Sequence, residues 1–170
     1  DPIIAGVADG AVTEGDPGDV ISTTGQLTSS DVDDASTATW SGGGTQTYGS
    51  LSVDAAGLWT YALDSAAADS LEEGVTVTET YTVTVTDDHS GSDSQVVTID
   101  ITGTNDDPII AGVAGGAVTE GDPDDVISTT GQLTSSDIDD ASSATWSGGG
   151  TQTYGSLSVN AQTGLWTYTF

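Results

Sequence analysis

Apolar and polar side chains alternate along two long segments of the chain, residues 75–86 and 95–102. Each segment carries valine, isoleucine or tyrosine at most of its alternate positions and mainly threonine between them. A two-residue period is typical of a strand with one buried face. We therefore predict two half-buried antiparallel strands. Their buried face is expected to consist of the following side chains: Val75, Val77, Tyr81, Val83, Val85, Val97, Ile99 and Ile101.

Five further apolar segments, separated by Gly, Asp and Ser, bring the number of predicted strands to seven. The predicted strands lie near Ile3–Glu14 with a break at Gly10, Val20–Thr28, Ala38–Ser41, Thr47–Asp54, Leu58–Asp64, Val75–Thr86 and Gln95–Thr102. Residues 66–73 suggest one short helical turn, and no other segment has helical character. Seven short strands in about 100 residues predict an all-β fold, an immunoglobulin-like β-sandwich.

The chain contains an internal repeat with an offset of 106 residues. Residues 1–53 return as residues 107–159, and 49 of these 53 positions are identical. A repeat of this length has the usual size of one domain. We therefore predict a complete sandwich in residues 1–106 and a partial one in residues 107–170, which reaches only the fifth strand. Near-identity between tandem copies favours a longer array of such repeats.

The charge is entirely of one sign. The 170 residues include 27 Asp and Glu and no Lys or Arg, which gives a formal net charge of -27. A chain without Lys or Arg has no phosphate clamp, basic groove or basic patch for anionic membranes, so nucleic acid and anionic membrane surfaces are poor partners. The absence of Cys excludes disulfides and thiolate metal sites. No apolar run has the length of a membrane span, so direct membrane insertion is not expected.

The predicted topology gathers many of the carboxylates at the two ends of the sandwich. In this fold, the loop after the second strand and the loop after the sixth strand share one end. The opposite end holds the first turn, the fifth-to-sixth connection and the residues after the seventh strand. The first end carries Asp31, Asp33, Asp34, Asp87, Asp88 and Asp93; the second carries Glu14, Asp16, Glu72, Glu73, Asn105, Asp106 and Asp107. In the second repeat, Glu120 corresponds to Glu14, and the loop facing the linker supplies Asp137, Asp139 and Asp140.

Such oxygen-rich clusters fit a calcium ion, which takes six to eight oxygen ligands. Three carboxylates about 5 Å apart repel one another by about 3 kcal/mol per pair at an effective dielectric near 20. Since no Lys or Arg can neutralise them, protons or bound cations must do so. Magnesium requires stricter geometry, and zinc prefers His or Cys, of which only His89 is present. A single Asp in such a loop is more simply explained as a turn-capping residue.

Other chemistries find little support in the sequence. His89 lies beside Asp87 and Ser90, but all three belong to one loop and no nucleophile elbow is present. Paired carboxylates could form a glycosidase site only if one were held in an apolar pocket, and these lie in Gly, Ser and Thr loops. The glycine-rich segment 41–50 has no Lys and no following helix, so it is not a phosphate-binding loop. We therefore predict a protein that is not an enzyme.

The segments YTVTVTDDHSGSDSQVVTIDITGTNDDP and LTSSDVDDAS resemble the VCBS and cadherin-like repeats of large bacterial surface proteins, including the extender regions of RTX adhesins. The resemblance covers both copies and implies a Greek-key, cadherin-like sandwich. It also implies calcium ligands between consecutive domains, with Gly103 standing where the family's linker has its first Asp. The ligands so implied are Glu14, Glu73, Asn105, Asp106, Asp107, Asp137 and Asp139, with Asp87 from the loop after the sixth strand.

The combined interpretation is a calcium-rigidified spacer repeat of an extracellular adhesin or surface fibre, whose partners are the adjacent repeats of the same chain. Two alternatives remain open at this stage. One is a self-assembling fibre subunit in which identical chains supply the strands missing from the second repeat. The other is a calcium-dependent glycan-binding module that uses Trp40 and Trp59 for stacking, although both are more simply explained as core residues.

Overall fold

A computed structural model describes residues 1–16, 18–32, 38–125, 127–139 and 144–170. The chain divides into two compact units, Asp1–Asp106 and Asp107–Phe170. Unit 1 contains nine strands and one short helix in its described residues: β1 (Ile3–Gly6), β2 (Asp9–Thr13), β3 (Ser22–Ser30), β4 (Thr39–Gly42), β5 (Gly44–Thr45), β6 (Gly49–Val53), β7 (Leu58–Leu63), α1 (Ser65–Ala68), β8 (Thr76–Thr86) and β9 (Ser92–Thr102).

Unit 1 is a sandwich of two sheets. The first sheet has the strand order β1-β3-β7-β6-β5, and the second has the order β2-β9-β8-β4. All neighbouring strands are antiparallel except β2 and β9, which run parallel. The all-β sandwich predicted from the seven apolar segments is thereby confirmed.

The first predicted strand is divided between the two sheets. We expected its break at Gly10, but β1 ends at Gly6 and β2 begins at Asp9. Between them, the Val7 N–H donates to Gln26 O in the first sheet, and Val7 O accepts the indole N–H of Trp59 at 2.8 Å. These two hydrogen bonds fix the backbone where the chain passes from the first sheet to the second. The next strand, β2, then pairs with β9 in the second sheet.

The core lies between the two sheets and follows the predicted alternation, except at Val75, which precedes β8 and is 41% exposed. Leu27, Trp59 and Tyr61 point inward from the first sheet and are fully buried. The second sheet faces them with equally buried side chains: Val83, Val97, Ile99 and Ile101. Trp59 fits because the adjacent position on β3 is Gly25, where a Cβ would lie 2.4 Å from the indole ring. Trp59 is therefore a core residue, as its sequence position favoured.

Glu79 occupies an inward position on β8 where the surrounding pattern has valine and tyrosine. Its side chain is only 4% exposed. One carboxylate oxygen accepts the Tyr48 N–H at 2.7 Å, and the other accepts the hydroxyl groups of Tyr61 at 3.0 Å and Tyr81 at 2.7 Å. Burial, reinforced by the bond to Glu79, raises the pKa of both tyrosines well above the usual range. A hydrogen-bonded carboxylate thus links β8 to the first sheet inside the core.

Unit 2 repeats only part of this architecture. Its described strands are β10 (Ile109–Gly112), β11 (Ser128–Ser136), β12 (Gly149–Gln152), β13 (Gly155–Val159) and β14 (Leu165–Thr169). They form a single sheet in the order β10-β11-β14-β13-β12. Residues 115–119 and 145–148 correspond to β2 and β4 of unit 1, yet neither forms a strand. Both counterparts in unit 1 pair with the hairpin formed by β8 and β9, for which the described part of unit 2 has no equivalent.

Candidate metal centre

Three carboxylates meet at the end of unit 1 where β2 and β9 finish. Glu14 directly follows β2, and its N–H donates to Thr102 O at the end of β9 at 2.9 Å. Asp69 caps the C-terminal end of α1, and its N–H donates to Ser65 O. Asp106 follows β9 at the end of the unit. Residues 14, 69 and 106 are far apart in the sequence, so only the fold brings them together.

Gly103 allows the connection after α1 to approach the end of β9. A Cβ on Gly103 would lie 2.3 Å from Leu71 O and 2.6 Å from Glu72 O. The Gly103 N–H donates to Val75 O, and Gly103 O accepts the Gly74 N–H. Because Leu71 is buried and follows Asp69 by two residues, this close contact also fixes the position of Asp69. The glycine therefore has a packing role at the position where the resembled linker has an Asp.

The cluster is compact and mostly buried. One carboxylate oxygen from each of Glu14, Asp69 and Asp106 lies within 4.8 Å of the others. Glu14 is 6% exposed and Asp69 is 8% exposed, and Asp106 is half-buried. The backbone N–H of Thr104 donates to Glu14 Oε2 at 3.1 Å. Asp69 Oδ1 is buried and accepts no hydrogen bond within the described part of the chain.

The donor set of this site fits a hard divalent cation. A buried carboxylate oxygen without a hydrogen-bond donor costs about 1–3 kcal/mol or more, because its hydration is lost without replacement. Repulsion among three carboxylates at this spacing adds about 3 kcal/mol per pair. The sequence provides no Lys or Arg to offset either term. All the available ligands are oxygens, which calcium prefers over nitrogen or sulfur.

The structure brings together some of the residues proposed for this end of the unit and separates others. Glu14 and Asp106 belong to the cluster. Glu73 and Asp107 are exposed and do not belong to it, and the Asn105 side chain is exposed. The Asn105 side-chain amide donates to Asp106 O at 2.6 Å, which orients the backbone beside the cluster.

Asp69 is the member of the cluster that sequence reasoning did not select. The prediction instead selected Glu73, from the acidic pair Glu72 and Glu73 in the same connection, but both side chains are exposed. A usable signal was present in the sequence. The alanine run at 66–68 after Asp64 predicts one helical turn, and such a turn ends at Asp69, next to the buried side of the connection.

The opposite end of unit 1 contains a second group of acidic residues. Asp87 Oδ1 accepts the backbone N–H groups of His89 at 2.9 Å and Gly91 at 2.7 Å, so this oxygen shapes the loop between β8 and β9. Asp93 Oδ2 accepts the Ile4 N–H at 2.9 Å and fastens β1 to β9. The Asp31 side chain is 9% exposed. At this end of unit 1, hydrogen bonds from Asp side chains to the backbone explain much of the acidic group, as expected for Asp in turns.

His89 interacts with a neighbour on its own loop. Its Nδ1 lies 2.9 Å from Asp88 Oδ1, and oxygen or nitrogen atoms of Asp87, Asp88 and His89 lie within 4.8 Å of one another. Asp88 and His89 are both exposed, and Asp87 is half-buried. This group lies on a largely solvated loop.

The remaining candidate ligands belong to unit 2 or fall outside the described residues. Asp139 is 7% exposed and Asp137 is half-buried. Glu120, the counterpart of the buried Glu14, is exposed. Asp33, Asp34 and Asp140 were also proposed as ligands and lie outside the residues that the structure describes.

Unit 1 is thus a β-sandwich domain with a cluster of carboxylates at one end. Residues 1–103 match the bacterial cadherin-like domain, and this match covers more than half of the 170 residues, so the chain belongs to that family. Domains of this family are structural modules typical of extracellular, adhesin-type surface proteins, and they generally bind calcium. No curated protein matches the chain. Within the described residues, no helix is both long enough and apolar enough to cross a bilayer.

Proposed function

We propose that this chain is a calcium-stiffened spacer from a bacterial surface protein, in which bound cations restrict the joint between consecutive repeats. The observation that carries the proposal is the buried Asp69 Oδ1, which accepts no hydrogen bond in the described residues although two further carboxylates lie within 4.8 Å. A bound cation would supply the partner that this oxygen lacks. The family and the all-oxygen donor set favour calcium.

The location of the cluster suggests how the cation would act. Glu14 follows β2, Asp69 ends α1, and Asp106 is the last residue of unit 1. A cation shared by these three carboxylates would tie the end of the sandwich to the residues that lead into unit 2. Fixing Asp106 in this way restricts the backbone directions available at Asp107. We expect Asp137 and Asp139 to contribute further ligands, as the resemblance to cadherin-like repeats implies.

Thermal unfolding with and without calcium tests the site directly. A single site gains about 2.7 kcal/mol when calcium exceeds its dissociation constant a hundredfold. We therefore expect a clear rise in the melting temperature in millimolar calcium relative to chelator, measured by circular dichroism. Equal melting temperatures in the two conditions would contradict the proposal.

The variant Asp69→Asn separates metal binding from simple packing because its effect should change sign. In chelator it removes a negative charge from a crowded cluster, so it should raise the melting temperature. In calcium it removes a ligand, so it should abolish most of the calcium-dependent rise. Glu72→Gln removes the same charge from an exposed position three residues away and serves as the control. A variant that melts lower in both conditions would indicate a packing role only.

Solution scattering tests the stiffening. Calcium should increase the maximum dimension of the chain and narrow its distribution of interatomic distances. Substituting Asn for Asp106 and Asp139 should reproduce the calcium-free profile even when calcium is present. Profiles that are insensitive to both treatments would rule out a stiffened joint, while leaving calcium binding within unit 1 to be decided by the melting experiment.

A further inference from the structure

Two tyrosines from opposite sheets meet in the core of unit 1. Tyr61 lies on β7 of the first sheet and Tyr81 on β8 of the second, and both side chains are almost fully buried. Their ring centroids are 5.9 Å apart, with an angle of 59° between the ring planes. Aromatic rings at this separation and tilt are in contact. The pair therefore bridges the space between the two sheets.

A single carboxylate oxygen joins the two phenol groups. Glu79 Oε2 accepts the hydroxyl of Tyr61 at 3.0 Å and the hydroxyl of Tyr81 at 2.7 Å. Because both hydroxyl groups bind the same atom, the ends of the two rings converge, and with them the ring carbons beside each hydroxyl. Burial raises the pKa of both tyrosines above the usual range, so both phenols keep their protons at neutral pH. Glu79 is thus placed to accept a proton from either phenol.

The composition of the chain directs oxidation towards aromatic side chains. The 170 residues include no Cys and no Met, whose sulfur atoms are common targets of oxidants. Among the remaining side chains, those of Trp and Tyr lose an electron most readily. Trp40 and Tyr48 are half-buried and pack against the core that contains the tyrosine pair. An electron can pass between packed aromatic side chains, so an oxidant at the surface of unit 1 need not touch the buried rings.

We propose that Tyr61 and Tyr81 form a site of oxidative cross-linking, at which peroxide-derived one-electron oxidants join the two rings by a carbon–carbon bond. Each phenol gives one electron to the oxidant and one proton to Glu79, which passes it to solvent. The two radicals couple at ring carbons beside the hydroxyl groups. The hydrogen on each coupled carbon then moves to the phenol oxygen, so both hydroxyl groups are restored. The net loss is two electrons and two protons, which reduce one molecule of hydrogen peroxide to two of water.

The cross-link takes the place that a disulfide between the two sheets has in many immunoglobulin domains. It joins β7 to β8 across the core and closes a loop of about 20 residues in the unfolded chain. A link of this kind restricts the unfolded chain, so it should raise the melting temperature of unit 1 by about 10 °C or more. The inference does not depend on calcium, because the metal centre lies at the end of unit 1 and the tyrosine pair lies in its core.

Mild one-electron oxidation of the 170-residue chain tests the proposal directly. A photo-activated ruthenium complex with persulfate supplies the oxidant, and the chain is then unfolded and digested with a protease that cuts after Asp and Glu. This digestion places Tyr61 in residues 55–64 and Tyr81 in residues 80–87, each with a single tyrosine. We expect mass spectrometry to find these two peptides covalently joined, with two hydrogen atoms fewer than the separate peptides, together with dityrosine fluorescence. Absence of this joined pair from the oxidised chain would overturn the proposal.

Dilution distinguishes this link from random coupling at the surface. Tyr154 is 73% exposed, and an exposed tyrosine can couple between chains. On tenfold dilution the yield of dimers joined through Tyr154 should fall, whereas the yield of the link between Tyr61 and Tyr81 should stay within about twofold, because its two partners belong to one fold. Tyr154→Phe should remove these dimers and keep the internal link. Coupling that occurs only between chains would overturn the proposal.

Matched variants test the role of the carboxylate and the effect of the link. Glu79→Gln removes the proton acceptor, so the initial rate of cross-linking should fall about tenfold or more, measured well below the melting temperature of the variant. Glu72→Gln removes an exposed carboxylate and should leave the rate unchanged. Oxidation should raise the melting temperature of the native chain but not that of Tyr81→Phe. Equal rates in the folded Glu79→Gln and native chains, or a cross-linked chain that melts no higher than the native one, would contradict the proposal.

Discussion

Replacing Glu79 by Gln should destabilise unit 1 although the two side chains have nearly the same shape. The carboxylate accepts three hydrogen bonds, from the Tyr48 N–H and from the hydroxyl groups of Tyr61 and Tyr81. An amide offers one oxygen and one NH₂ group, so it cannot accept from all three donors. Tyr81 can turn its hydroxyl to Gly49 O at 3.1 Å. The other two donors meet different oxygens of the carboxylate, so in the variant one of them faces the NH₂ group.

The expected loss follows from these bonds. A hydrogen bond to a charged group contributes about 1.5–3 kcal/mol, and a buried donor left without an acceptor costs about 1–3 kcal/mol. With partial compensation through Gly49, the variant should lose about 2 kcal/mol. For a domain of this size, such a loss lowers the melting temperature by about 10 °C. The network lies within the fold of unit 1, so the loss should be the same with and without calcium.

Thermal and urea unfolding monitored by circular dichroism and tryptophan fluorescence would measure the effect. Glu72→Gln is the matched control, because it removes a carboxylate from an exposed site seven residues earlier and should change the stability by less than about 0.5 kcal/mol. A double-mutant cycle with Tyr81→Phe should give a clearly non-additive energy, since the two side chains are hydrogen-bonded.

The reasoning would be refuted if Glu79→Gln matched the control within error. It would also be refuted if the losses from Glu79→Gln and Tyr81→Phe simply added. The first result would mean that the buried carboxylate contributes no net hydrogen-bonding free energy, as happens for some buried charged groups. The second would mean that the hydrogen bond between Glu79 and Tyr81 contributes no coupling energy.

Two further predictions concern the same unit. Burial raises the pKa of Tyr61 and Tyr81, so the unfolded chain loses these protons above about pH 10 while the folded chain keeps them. Above this pH, the free energy of unfolding should fall by about 1.4 kcal/mol per pH unit for each tyrosine. Urea unfolding at about pH 9 and pH 11 should show this fall in the native chain. The variant with Phe at both positions should not show it. Gly103→Ala should destabilise unit 1 by about 1–3 kcal/mol in thermal unfolding, because the added Cβ would collide with backbone oxygens. Gly115→Ala should be nearly neutral in the same assay, because its Cβ would meet open space.

Much of the fold could be predicted from the sequence because its signals are local. Alternation along residues 75–86 and 95–102 corresponds to β8 and β9, and Val83, Val97 and Ile99 are buried as predicted. The short segments also match strands, with small shifts at their ends. The crossing between β1 and β2 was misplaced, since it depends on bonds from Val7 to Gln26 and Trp59, which are distant in sequence.

The candidate site was predictable only in part. Glu14 and Asp106 follow strand ends whose place in a sandwich is set by topology, and the sequence selected both. Asp69 was missed because its burial depends on the approach of Leu71 and Glu72 to Gly103. Glu73 was selected for its local acidic sequence, which carries no information on the direction of the side chain.

The two copies of the repeat separate what sequence and tertiary structure each decide. Composition, charge, the 106-residue period and the inward alternation follow from the sequence alone, because each depends on neighbouring residues or on residue counts. Strand formation at the sheet edges does not follow from the sequence alone. Residues 9–13 and 115–119 differ only at their first position, yet the former pair with β9 as β2 and the latter form no strand. An edge segment becomes a strand only when a partner strand accepts its backbone hydrogen bonds, and the tertiary structure alone supplies that partner.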